Sequence, residues 1–324
     1  MRKTGARVTV DAIITADVLD VDTKPVRADR RRRPRPWRLA WLLLLLPSLL
    51  CLAAFTYLPV LRVVLDALYA APHGTGSAAR FVGLENFARV LGDPAFRQAA
   101  QNNLLYAIGT VVPSVVLALL FALAVWRSSR FNTVMRTILF LPSLVPLVAA
   151  ASLFFFIFLP GIGLLDYYLG KIGASGLNWI GDSDVALWSI VGLTVWKNAG
   201  YYMLFYIAGL QAVPRDHIEA ATVDGANALQ RLWHVILPAL RPTTAFVVTI
   251  ALIHMLTSVD HVVVLTKGGP SNATNLLLFY IFQEAHENFD AGKAAAATGI
   301  SVAVLLVVSL GALRGMDPGG GRAS

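Results

Sequence analysis

Two Gly-Lys pairs are the places in this sequence where phosphate chemistry could start. A phosphate-binding loop needs a glycine, four residues, then Gly-Lys before Ser or Thr, so that backbone amides surround the phosphates. For Gly170-Lys171 the first-glycine place is held by Leu165 and Ile172 follows; for Gly292-Lys293 the same places hold Glu287 and Ala294. Neither pair can form that loop. No zinc-protease spacing of His and Glu and no Gly-x-Ser-x-Gly elbow occurs, so no catalytic residues are assigned and the chain is not expected to be an enzyme. Cys51 is the only cysteine, which leaves no disulfide framework and no cysteine metal site; no metal or cofactor is expected on this chain. Ser48-Leu49-Leu50 lacks the small residue that precedes a lipid-modified cysteine, and the sequon match Asn272-Ala273-Thr274 carries no weight.

A second group is polar rather than reactive. Lys197, His254, Asp260 and His261 lie in or beside strongly apolar runs, accompanied by Asn198, Tyr201, Tyr202 and Ser258. Ionisable groups in a membrane are costly and often functional. Lys197, Asn198, Tyr201, His254, Ser258 and Asp260 are therefore the candidate substrate-pathway residues, offering hydrogen-bonding groups and an aromatic face to a polar solute. The competing readings are that Lys197 snorkels to an interface or pairs with Asp260, and that His254 and Tyr201 are satisfied helix-packing groups.

The elements that position these residues follow from composition. The 324 residues are 56% hydrophobic and 14% charged, with a mean hydropathy of +0.64, outside the range of ordinary soluble domains. Residues from Leu39 to Leu61 (23), Gln98 to Trp126 (29), Thr137 to Leu165 (29) and Ala294 to Leu313 (20) contain no Asp, Glu, Lys or Arg. Each can cross a hydrocarbon core of about 30 Å as a helix. Two further runs are less clean: Val185 to Val213 is interrupted by Lys197, and Pro242 to Val259 ends at Asp260. The expected fold is an all-α integral membrane protein with six transmembrane helices. Pro47, Pro59, Pro113, Pro142 and Pro146 mark bends or span ends.

Charge sets the orientation. Residues 1–38, 127–136, 209–242 and 314–324 carry 19 of the 27 basic residues, whereas 62–97, 166–184 and 267–293 carry 7. The positive-inside rule then puts both termini in the cytoplasm. The net charge of +8 follows this bias and implies a lipid surface rather than nucleic acid. Residues 1–38, ending in a cluster from Arg30 to Arg38, read as a disordered basic tail, 39–313 as the membrane domain and 314–324 as a short cytoplasmic tail. The first apolar run is too long and too far from the start for a cleaved signal peptide. On the outer side, Phe81 to Phe87 followed by Gly92-Asp93-Pro94 predicts a turn and a short surface helix. Lys267 to Thr274 predicts a turn cluster before an interfacial or re-entrant segment, Leu276 to Phe282.

The loop 209–242, between spans 4 and 5, carries Ile218, Ala221, Thr222, Gly225, Leu229, Leu232 and Ile236 at spacings of three and four, which lines them along one helix face. Asp216 suits the positive end of such a helix. Gly225 weakens it, predicting a bend between two short helices. By pattern alone this element either rests on lipid headgroups or docks a protein.

Residue identity adds to that pattern. Glu219-Ala220-Ala221, Asp224-Gly225-Ala226 and Ile236-Leu237-Pro238, with Leu240 and Pro242, resemble the signature loop of permease subunits in binding-protein-dependent ATP-binding-cassette importers. Val195-Trp196-Lys197, Leu210 to Pro214, and Asp260 followed by Leu265-Thr266 and Gly268-Gly269-Pro270 extend the resemblance over about Trp37 to Gly315, nearest to the carbohydrate and glycerol-phosphate branch. Leu232 stands where that family usually has phenylalanine. The resemblance implies that Glu219, Ala220, Ala221, Asp224, Gly225 and Pro238 form the ATPase-docking element, a coupling helix with Glu219 at the contact and Gly225 at the turn. It also implies that ATP is hydrolysed by a partner and that the chain forms half of a pathway for a sugar, polyol or glycerol phosphate. The implied partners are a second homologous permease, an ATPase dimer and an extracytoplasmic solute-binding protein. The alternative from another class is a self-contained secondary transporter or channel whose loop rests on lipid; no internal repeat favours it.

Overall fold

The computed structural model describes residues 37–70, 80–173 and 176–316. The basic tail up to residue 36 and the last residues from 317 lie outside the described residues. The chain divides into two compact units, 1–56 and 57–324. In the first, α1 (Trp37–Leu52) leads into a π-helical turn.

In the second unit, α2 (Leu58–Asp66) runs into the short strand β1 (Tyr69–Ala70), which pairs antiparallel with β2 (Arg80–Phe81). The turn and surface helix expected after it are Gly83, in the left-handed region at φ +58°, and α3 (Glu85–Gly92). The long α4 (Pro94–Val125) begins within the expected turn at Gly92-Asp93-Pro94, ahead of the uncharged run from Gln98. Asp93 caps it by accepting from the Ala95 amide at 2.8 Å, and Pro94 occupies the first turn, where its missing N–H costs nothing. At the other end Arg136 donates to the Val125 and Trp126 carbonyls, a cation on the negative end of the helix dipole.

The uncharged run from Thr137 to Leu165 is not one straight span. It falls into α5 (Arg130–Leu144) and α6 (Leu147–Ile157), bent by 94°. The cause is local: a proline ring clashes with the preceding residue's helical conformation, and Val145, ahead of Pro146, is extended at ψ 127°. The short α7 (Leu164–Gly170) follows, then α8 (Ala186–Ala212), whose 27 residues suffice to cross a bilayer by length.

Beyond α8 come α9 (Arg215–Val223), α10 (Ala228–Arg231), a π-helical turn from Leu232 to Ile236, α11 (Leu237–Ala239) and α12 (Arg241–Thr257). The π turn immediately precedes Pro238, whose ring cannot sit over a regular helical carbonyl four residues back. The described chain is completed by α13 (Asp260–Leu265), α14 (Leu277–His286) and α15 (Ala291–Met316). The expected segment Leu276 to Phe282 is thus the first part of α14, which packs Leu277, Phe279 and Tyr280 inward. Among the described residues, Leu44–Asp66, Pro94–Val125 and Ala291–Gly311 are single helices long and apolar enough to cross a membrane, and two bent pairs raise the number to five.

Small residues set the packing. On α4, Ala118 and Ala122 are fully buried against Tyr202, Met203 and Tyr206 of α8, and Gly109 leaves room for Trp188 and Val191. Gly200 of α8 touches the α5 backbone so closely that an added Cβ would overlap the Leu139 carbonyl. Around the start of α4, polar groups join α3, α4, α14 and α15. Lys293 bridges Asp93 at 2.6 Å and Glu284 at 3.0 Å, Tyr280 donates to Asp93 at 2.8 Å, and Arg89 pairs with Asp290 at 2.6 Å. Burial alone would raise the Asp93 and Asp290 carboxyls. It is outweighed by bonds from Lys293, Tyr280 and the Ala95 amide at Asp93, and from the Lys293 amide and Arg89 at Asp290, so both lie below the ordinary carboxylate range.

Candidate functional site

The breaks that interrupt the apolar helices also open a cavity of about 540 Å³ between α4, the α5–α6 bend, α8, α12 and α13. Lys197, Asn198, Tyr201, His254, Ser258 and Asp260, singled out from the sequence on separate segments, all line it.

Lys197 and Gly200 are three residues apart and so share a face of α8. The close approach at Gly200 brings the lysine up to the end of α5, where its Nζ donates to the Ser143 carbonyl at 3.2 Å and to the Val145 carbonyl. These carbonyls have lost their helical partners at the Pro146 break, and the α5 C-terminus is a negative dipole end. The Lys197–Asp260 pair considered from the sequence does not form; the ammonium satisfies backbone carbonyls instead. Asp260, at the start of α13, is exposed on the cavity wall.

His254 lies beside the rings of Tyr201 and Tyr202, with centroids 5.8 Å and 6.3 Å away, and its Nδ1 is 3.4 Å from the Tyr202 hydroxyl. Deeper in the wall, Tyr106 and His261 are buried and stacked, centroids 5.6 Å apart. The Tyr106 hydroxyl is 2.8 Å from Thr194 Oγ1 and 3.0 Å from His261 Nε2. Tyr106, Thr110, Ser114 and Thr194 also line the cavity and were not singled out from the sequence. Their signal is present: Tyr106, Thr110 and Ser114 recur every four residues in the stretch of α4 after Asn103, which is otherwise apolar, and Thr194 precedes Lys197 and Asn198 by one turn. Ser143, another lining residue, becomes legible only from the α5–α6 bend.

The loop 209–242 forms the second arrangement. Gly225 takes φ +81° and ends α9, and an added Cβ there would meet nothing within 4 Å. Asn227 and Gln230 then close a capping box that starts α10. Glu219, Ala220 and Asp224 are exposed, whereas Ala221 and Pro238 are half-buried. The single face expected from the spacing is not kept. Ile218, Leu232 and Ile236 are half-buried but Leu229 is 63% exposed, because the turn at Gly225 resets the helical phase. Val223 and Trp233 are also exposed. Arg231 donates to the Ala226 carbonyl at 2.8 Å and braces the turn.

The family model described as binding-protein-dependent transport system inner membrane component matches residues 114–319, which includes the loop 209–242 and the cavity lining apart from Tyr106, Thr110 and Val111. This chain belongs to that family. It is an inner-membrane permease component of a transport system, multi-pass and not an enzyme. The permease is 30% identical over 270 residues to the sn-glycerol-3-phosphate transport system permease protein UgpA of Agrobacterium fabrum, covering 82% of this chain and 91% of the relative. It is also 30% identical over 296 residues to the sulfoquinovosyl glycerol transport system permease protein SmoG of the same organism, covering 89% and 96%. Among solved structures it matches a chain of the bacterial alginate ABC transporter in complex with alginate pentasaccharide-bound periplasmic protein, with a TM-score of 0.74 at 23% identity over 86% of this chain and 96% of that one. Membership sets aside the self-contained carrier; the permease is of the ATP-binding-cassette importer class.

Proposed function

We propose that this permease forms half of the translocation pathway for a sugar, a related polyol or a glycerol phosphate, and that it takes its driving force from a separate ATPase dimer through the loop around Glu219 and Gly225. In this reading the three single spans, the bent α5–α6 pair, α8 and α12 make six crossings, with both termini in the cytoplasm and the cavity facing the pathway. A second homologous permease supplies the other half, and an extracytoplasmic binding protein delivers the solute. ATP is hydrolysed by the partner.

The observation that carries the reading is the pair of short helices α9 and α10. They are held rigid by the left-handed Gly225 turn and the capping box, with Glu219, Val223, Leu229 and Trp233 left exposed. Exposed apolar side chains on a braced turn suit a cleft on a partner, and a rigid element there can pass a nucleotide-driven movement to α8 and α12, which flank it in sequence. The substrate class is supported by the named solutes of the two Agrobacterium relatives and by the polar and aromatic cavity lining.

The test is affinity purification in mild detergent of wild type and Glu219→Lys, followed by ATP-dependent uptake in proteoliposomes. Wild type should retain an ATPase and a second permease, and the variant should lose the ATPase while still inserting. A wild-type protein that purifies alone and transports without ATP would overturn the reading.

A further inference from the structure

A second cavity, of about 440 Å³, lies where the α4–α5 connection meets the end of α8 and the start of α9, and it shares no lining residue with the larger one. Two of its lining residues are cations, Arg127 and Arg215, and both are exposed. Among the described residues neither guanidinium has a hydrogen-bond or ion-pair partner, whereas those of Arg136 and Arg231 are spent on backbone carbonyls. Asp216 and Glu219, the acidic residues of α9, neither line the cavity nor pair with these arginines.

Two like charges that share a cavity repel each other when no carboxylate lines it to offset them. Arg215 also opens α9, so its charge sits at the positive end of that helix's dipole, where an anion is favoured and a cation is not. Ser128 and Gln211 add a hydroxyl and an amide that can donate to an anion in the same space. The other wall is apolar. Leu210 and Val213 are buried, Ile218 and Trp126 half-buried. Trp126 ends the uncharged run that begins at Gln98, and tryptophan at the end of a span sits at headgroup level. An anion held by the two arginines therefore lies at the depth of lipid phosphates, beside a surface that suits glycerol and acyl carbons and has no use for a free inorganic ion.

We propose that this cavity binds the phosphate diester of an anionic phospholipid, held by Arg127 and Arg215, with the carbons beneath the headgroup against Trp126 and Ile218. Basic pockets between membrane helices are suited to anionic lipid headgroups. Arg127 stands just before α5 and Arg215 starts α9, so the bound lipid ties the loop 209–242 to the end of α4. The site is separate from the solute cavity and does not depend on which solute the permease carries.

The test uses the purified full complex, stripped of lipid in mild detergent and titrated in native mass spectrometry with dioleoyl phosphatidylglycerol or dioleoyl phosphatidylcholine, with inorganic phosphate as a competitor. Phosphatidylglycerol should fill the tightest site first, and inorganic phosphate should not displace it. Arg127→Gln and Arg215→Gln should each weaken that site about fivefold, the share expected of one cation near a lipid headgroup. Lysine at either position, which keeps the charge, should hold most of the affinity. Arg130→Gln, a neighbouring exposed arginine outside the cavity, should leave it unchanged. Equal loss in Arg130→Gln would mean a diffuse basic surface, equal binding of phosphatidylcholine an uncharged lipid contact, and displacement by inorganic phosphate a free-anion site. Loss of the ATPase from the Arg127→Gln and Arg215→Gln variants with lipid binding intact would mean a protein contact. Each of these results would overturn the proposal. The importer reading is judged separately, by ATP-dependent uptake and by ATPase retention in Glu219→Lys.

Discussion

Replacing Gly225 separates the geometry of the turn from the surface it presents. The residue sits at φ +81°, and an added Cβ meets nothing within 4 Å, so alanine there causes no clash inside the chain. Its cost is confined to the left-handed backbone, about 1–2 kcal/mol. At ~1.4 kcal/mol per tenfold, the native turn loses about five- to thirtyfold in population relative to alternatives. Asparagine tolerates this region far better than alanine, so Gly225→Asn should keep most of the turn. Tryptophan combines the backbone cost with a large side chain on the exposed surface. If α9 and α10 work as a rigid unit in a partner's cleft, coupling should fall in the order wild type, Asn, Ala, Trp, with insertion unchanged throughout. The assay is the ratio of solute taken up to ATP hydrolysed by the reconstituted complex, alongside quantification of ATPase retained on purification. Wild-type coupling in Gly225→Trp would refute the docking argument. Equal loss in Asn and Ala would refute the turn-geometry part, leaving only the surface.

Lys197→Met should free the Ser143 and Val145 carbonyls and destabilise the α5–α6 bend by about 1–3 kcal/mol, read as a lower midpoint in detergent-driven unfolding. Lys197→Arg, which keeps donors, should recover part of that loss. Gly200→Val should push α5 from α8 at Leu139 and lower transport more than it lowers expression, measured as uptake per inserted protein. At the start of α4, the depressed Asp93 carboxyl makes its contribution fully present above its ordinary value of 3.8 and lost as pH falls through the lower folded value. Thermal melts taken from pH 5 down to pH 3 should therefore show a steeper loss in wild type than in Asp93→Asn, which has no carboxylate to protonate.

Most of the membrane character was legible in the sequence because it depends on local composition. Uncharged runs, the Asp93-Pro94 start of α4 and the Gly225 turn are set by neighbouring residues. The identity and order of residues in the loop 209–242 carried the resemblance, and the permease family they resemble is the one to which the chain belongs. The positions of Tyr106, Thr110 and Ser114 were readable as a four-residue polar stripe, although apolar runs hid them.

Other features needed the tertiary structure. Thr137 to Leu165 has the composition of one span, and only the packed chain reveals the 94° bend made by Val145 and Pro146. Lys197 and Asp260 carry opposite charges on neighbouring spans, which suggests a pair. A helix break elsewhere in the chain placed two unsatisfied carbonyls nearer to the ammonium. Leu229 fits the apolar spacing yet is exposed, because a positive-φ glycine rotates everything after it. His261 is a single polar letter in sequence; its hydrogen-bond partner Tyr106 lies 155 residues away and also reaches Thr194. Sequence alone determined what each segment could be, since periodicity, charge and turn chemistry act over a few residues. Which groups satisfy one another was decided only in three dimensions, because hydrogen bonds and charges answer to distance in space.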